Sequence, residues 1–118
     1  MKRAKNFSIV LVTAPDLKNA RNLARKALEA HLAACVNLVP RIESHYWWQG
    51  KLERGNEILM IFKTSRQCLS HLEKLILSEH PYDTPEFIEI PLAGGAAHYI
   101  EWLEDSLGFP AKAPTGKI

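Results

Sequence analysis

The chain has 118 residues, 47% of them apolar and 24% charged, with a formal net charge of +2. That suits one compact domain over residues 1–118 and excludes a disordered or fibrous chain. The weak charge argues against nucleic-acid or membrane-surface partners, no stretch reaches the ~18 apolar residues of a membrane span, and Cys35 and Cys68 lack C-x-x-C spacing, so reduced thiols in a cytoplasmic protein are expected.

MKRAK followed by FSIVLVTA imitates a signal peptide, basic then apolar. The apolar run is short and β-branched, however, and reads as a strand over Phe7 to Thr13, its unbroken Ile9–Val12 core implying cover on both faces. Pro15-Asp16 opens a helix with Asp16 as N-cap and Leu17, Ala20, Leu23, Ala24, Ala27 and Leu28 as its apolar stripe. Lys18, Arg21, Arg25 and Lys26 form its solvated side. From ACVNLVPRIESHYWW onward the period is two. Val36, Leu38, Ile42, Tyr46 and Trp48 are expected on one face, and Arg41, Glu43, His45 and Trp47 on the other, with a bulge or edge at Pro40. Gln49-Gly50-Lys51 is a turn, and the chain returns as Leu52 to Lys63. Thr64 with Gln67 has the pattern of a capping box opening a second helix, whose stripe is Leu69, Leu72, Leu75 and Ile76 and which Pro81 ends. Phe87 to Ile90 is a fourth strand, and a Gly94-Gly95 loop leads to a short helix carrying Tyr99, Ile100, Trp102 and Leu103, capped by Gly108. Residues 109–118 read as a loose tail. The order β-α-β-β-α-β plus a helix is the α+β, ferredoxin-like split βαβ: an antiparallel sheet with two helices on one face.

The hairpin of the second and third strands is too long for one globule. About 14 residues per arm at ~3.3 Å each reach ~45 Å, against ~35 Å across for a domain of this size. The overhang carries Tyr46, Trp47 and Trp48. Adjacent strand residues point oppositely, so one tryptophan must leave any single covering layer. Burial by further copies in a closed symmetric assembly is the expected solution, and these three residues its interface.

TAPD after the first strand, AACVNLVP, SHYWWQGKLE, Glu57 and Lys63-Thr64 in E-x-x-x-x-x-K-T, HPYDTPE and YIEWL together resemble the CutA family of divalent-cation tolerance proteins. The resemblance covers about residues 8 to 107 and implies a ferredoxin-like subunit assembling as a homotrimer through its hairpins, cytoplasmic in bacteria. It also implies copper ligands at three positions, a cysteine and two histidines. Here these are Val12, Glu79 and His80, so only His80 matches, and a lone histidine beside a carboxylate is a weak site for Cu(II) or another divalent cation. The resemblance further places Cys35, Glu57, Lys63, Tyr82, Glu86 and Trp102 near an intersubunit cleft.

Pro81 and Pro85 stiffen SEHPYDTPE, so His80, Tyr82, Asp83 and Glu86 are held with little entropy to lose on binding; His80 bonded to a carbonyl in a rigid linker is the plainer alternative. Cys35 also suits a buried small apolar position, and Lys63 could snorkel, bind an anion or pair with a carboxylate across a subunit boundary. Cys68 and His71 share a helix face but supply two ligands where structural zinc takes four. His31, His45 and His98 suit surface or capping roles.

These readings give a trimer that binds a divalent metal or a small anionic ligand at intersubunit clefts, with no required cofactor and no turnover. The alternative is a non-catalytic trimeric scaffold or anchor. An RNA-binding module would need exposed aromatics in the strand NEILMIFK, and a hydrolase would need a paired nucleophile and base; neither pattern is present.

Overall fold

The computed structural model describes residues 1–107. Its centre is a four-stranded antiparallel sheet in the order β3-β4-β2-β5, formed by β2 (Phe7–Ala14), β3 (Cys35–Trp48), β4 (Lys51–Ser65) and β5 (Ile88–Pro91). Helices α1 (Leu17–Glu29) and α2 (Leu69–Glu79) cover one face, and α3 (Ala97–Ser106) packs at one end of the molecule. This is the expected ferredoxin-like arrangement. Lys2–Arg3, here β1, pairs with Gly94–Gly95, here β6, so the expected glycine loop is half of a second small sheet. A Cβ on Gly94 would stand 2.8 Å from the Lys2 carbonyl oxygen, a close approach that only glycine allows. Gly108 and the tail lie outside the described residues.

The apolar run that imitates a signal peptide is the sheet's central strand. Val10, Val12 and Ala14 of β2 and Met60 and Phe62 of β4 are fully buried beneath Ala20, Leu23 and Ala27 of α1 and Leu72 and Ile76 of α2. The alanines of α1 let it sit close to the sheet. Asp16 is its N-cap as expected, accepting from the Asn19 backbone N–H at 2.8 Å. The helix ends in a left-handed residue at His31, φ 55°, with Leu32 N–H returning to the Ala27 carbonyl, a Schellman-type stop built on histidine instead of glycine.

Two expectations are corrected. Thr64 does not cap the second helix. The β2–β4 ladder runs on to Phe7 opposite Ser65, which buries Thr64 completely, and its hydroxyl donates to the Leu32 carbonyl at 2.7 Å. A 3-10 turn at Arg66–Cys68 intervenes before α2. Strand pairing has overridden the local capping signal. Thr64→Val keeps the shape but strands the Leu32 carbonyl, so it should cost about 1–3 kcal/mol. In urea the midpoint should fall with an unchanged slope; an unmoved midpoint would mean that carbonyl is satisfied elsewhere.

The second correction concerns the faces of β3. Val36 and Leu38 pair with buried Phe62 and Met60, on the helix side. Pro40 and Arg41 then both stand against Ile58, with Arg41 at φ 59°, and pairing resumes at Ile42 opposite Glu57. This is the bulge expected at Pro40, but its extra residue reverses the alternation beyond it. Ile42, Tyr46 and Trp48 therefore lie on the open face of the sheet, away from Val36 and Leu38. The hairpin closes through Gln49 and Gly50, at φ 49° and 76°, both left-handed as a type I′ turn requires. Its overhang gives the molecule a 48 Å long axis against 26 and 24 Å across.

Candidate functional site

The odd-numbered residues of β4 face away from α1 and α2, and the site begins with one of them, Glu57. It stands where the hairpin leaves the body of the sheet, opposite Ile42 just beyond the bulge. The segment after α2 closes over it. Pro81 stops the helix at Glu79, and His80 turns extended at φ −77°, ψ 139°. His80 is buried, and both ring nitrogens are committed to backbone. Nε2–H donates to the Thr13 carbonyl at 2.7 Å, and Nδ1 accepts from the Tyr82 N–H at 3.1 Å. The two rings lie 4.7 Å apart, and the Tyr82 hydroxyl donates to Glu57 Oε2 at 2.8 Å. HPYDTPE is thus a rigid clamp that carries Tyr82 onto Glu57.

Around this pair lies an open groove of about 980 Å³. Tyr46 and Trp48 of the hairpin wall one side, Pro81 to Thr84 the other, and Glu53, Glu57, Asp83 and Glu86 supply the charge. Among the described residues its lining contains no lysine or arginine. Burial holds the Tyr82 phenol well above its ordinary value, reinforced by the hydrogen bond to the Glu57 carboxylate. Burial also raises Glu86, and the neighbouring charge of Glu57 adds to it. This is a negatively charged, partly dry site whose field suits a cation better than the anion considered from sequence.

The donors of one chain do not fit a resident metal. Val12 is fully buried in the core, Glu79 is paired with Lys26 of α1, and His80 has no free nitrogen. Among the described residues no group of three or more His, Cys, Asp or Glu side chains is placed to hold a metal ion. Cys68 is buried with its thiol directed at the His31 carbonyl, 3.8 Å away, and serves the core rather than a zinc site.

The remaining sequence-derived candidates form a second cluster. Cys35 stands opposite Lys63 in the β3–β4 ladder; Lys63 Nζ lies 5.5 Å from the centre of the Tyr99 ring, and Tyr99 stacks on Trp102 at 5.7 Å. Six residues of β4, roughly 20 Å, separate Lys63 from Glu57. One chain therefore brings together Glu57, His80, Tyr82 and Glu86, and separately Cys35, Lys63 and Trp102. Sequence reasoning missed Glu53 in the groove and Tyr99 beside Lys63, and left Asp83 out of the site. It gave Tyr46, Trp47 and Trp48 an interface role only; the parity change at the bulge, which puts Tyr46 and Trp48 on the groove side, was the available signal.

A family profile for CutA1 divalent ion tolerance protein matches residues 8–106. The divalent-cation tolerance protein CutA of Pectobacterium atrosepticum is 47% identical over 103 residues, covering 84% of this chain and 90% of that protein. Protein CutA 1, chloroplastic, of Oryza sativa subsp. japonica is 44% identical over 98 residues, 83% of this chain but 55% of that protein, so the chain spans little more than half the plant relative's length. Among solved structures, the divalent cation tolerance protein of Thermus thermophilus superposes with a TM-score of 0.84 at 37% identity, covering 86% of this chain and 99% of that one.

Proposed function

The chain belongs to the CutA1 divalent ion tolerance family, and from that premise we propose that it works without turnover, as a homotrimer that holds a cation in clefts between its subunits. The observation that carries this reading is the apolar surface left uncovered on the open face of the sheet and at the hairpin tip. Val39, Ile88 and Ile90 on the open face of the sheet are 39%, 50% and 44% exposed, and Trp47 and Leu52 at the hairpin tip 72% and 68%. Soluble monomers avoid patches of this kind, and closed symmetric assembly buries them. The two separated clusters support the same reading. In one chain Cys35, Lys63 and Trp102 stand apart from Glu57 and Glu86, so a cleft that joins the two clusters takes one from each of two subunits. The relatives are named for tolerance of divalent cations and not for a reaction. Both cysteines are free thiols, in keeping with a cytoplasmic location.

Native mass spectrometry of protein purified without chelator, followed by thermal melts with CuCl2 and with EDTA, tests both halves. Three 13.3 kDa chains per particle are expected. At a hundredfold excess of Cu(II) over its dissociation constant the stabilisation is about 2.7 kcal/mol. A single-chain mass overturns the assembly. A trimer whose melt ignores Cu(II) and other divalent ions leaves the rigid scaffold as the function.

A further inference from the structure

Helix α3 and the strand pair β1–β6 have a small core of their own. Ala4, Phe7, Ile100 and Leu103 are buried together, apart from the main core beneath α1 and α2. The N-terminal strap that carries Ala4 is tied down by its backbone. Lys2–Arg3 pairs with Gly94–Gly95, the Ala4 N–H donates to the Ala93 carbonyl at 3.2 Å, and the Ala4 carbonyl accepts from the Phe7 N–H at 2.9 Å. The two glycines serve different neighbours. Gly94 makes room for the Lys2 carbonyl, and a Cβ on Gly95 would stand only 3.0 Å from Ile100 Cδ1. One dipeptide thus seats the strap with its first residue and the helix with its second. We propose that β1, β6 and α3 form one flap, which opens as a unit well short of global unfolding and carries Tyr99 away from Lys63.

Little in α3 itself favours a helix. Its 10 residues are too few to hold a helix alone in water. Ala96 at its N-cap offers no side-chain acceptor, and its first turn has no acidic residue. Glu104 and Asp105 in its last turn set negative charge against the negative end of the helix dipole. Helix α1, by contrast, has the Asp16 cap and Lys26 in its last turn. The folding of α3 therefore depends on cover for Ile100 and Leu103, part of which Ala4 of the strap supplies. A unit with so small a core opens at a lower free energy than the whole, because opening it leaves the main core closed. Tyr99 links this unit to the second cluster: its ring lies 5.5 Å from Lys63 Nζ and stacks on Trp102. The strap thus governs whether the aromatic pair stays on Lys63. The flap is made of contacts within one chain, so it stands or falls separately from the cation-holding cleft.

The test is native-state amide hydrogen exchange of the full-length protein as it assembles, read by mass spectrometry. Amides of α3 should exchange faster than those of β2, β4, α1 and α2, through an opening shared with the strap. Gly94→Ala crowds the Lys2 carbonyl and touches nothing on α3, yet it should speed exchange throughout α3 by about tenfold and leave the main-core amides unchanged. Ala4→Gly, a milder change that removes one buried methyl from the strap, should speed it by about threefold. Both variants are compared with the parent at equal subunit number, checked by native mass spectrometry. Exchange of α3 at the rate of the main core overturns the flap, the helix then being held by the body of the protein or by a neighbouring subunit. Faster exchange confined to residues 1–5 in both variants, with α3 unmoved, overturns it as well, since the strap would not be what holds the helix.

Discussion

Trp47→Ser/Trp48→Ser should convert the proposed trimer to a 13.3 kDa monomer at micromolar concentration, by light scattering after gel filtration. Both rings are more than half exposed on one chain and face opposite sides of a two-stranded arm, so no single layer of the same chain can cover them. Each can bury ~150–250 Å² against a neighbour, and tryptophans at the centre of an interface commonly contribute about 2 kcal/mol or more. Losing two costs at least ~4 kcal/mol per interface, close to a thousandfold in association. Secondary structure should survive, because the tip lies beyond the core formed by β2, β4, α1 and α2. An unchanged particle mass would show that the arm's rings do not carry the assembly.

The largest effect on folding is expected at Phe62. Its side chain is fully buried, flanked across the sheet by Val10 and Val36 and covered by the helices. Phe62→Ala removes a ring from the middle of the main contact between the sheet and both helices, at a cost of about 3–5 kcal/mol from lost transfer energy and the cavity left behind. Chemical denaturation at fixed protein concentration is the right measurement, since assembly adds its own concentration-dependent stability. Phe62→Leu should lose markedly less, and equal losses would place the cost in the missing aromatic contact rather than in the cavity.

Much of this architecture is legible in the residues themselves. The alternation after Leu32 gives the hairpin, the stripe from Leu17 to Leu28 gives α1, and Pro81 gives the end of α2, because each is a local property of chain geometry. What misleads is decided at a distance. Thr64 and Gln67 offer a helix start that the register of β4 against β2 overrules, and Lys2–Arg3 becomes a strand only because Gly94 lets its backbone approach. The site divides the same way. Pro81 and Pro85 announce a stiff segment, but nothing local shows that His80 spends both nitrogens on Thr13 and Tyr82, or that Lys63 and Glu57, on one face by period, stand too far apart to meet within a chain.

The insertion at Pro40 and Arg41 acts like a frameshift in a repeating pattern. One uninterrupted stretch of alternating residues serves two audiences: its first third is addressed to the protein's own helices, and its remainder, out of phase, to whatever lies outside. The outer portion can thus be rewritten without disturbing the inner one, while flattening the joint without removing a residue would swap every outward ring for its neighbour and exchange Tyr46 and Trp48 for His45 and Trp47.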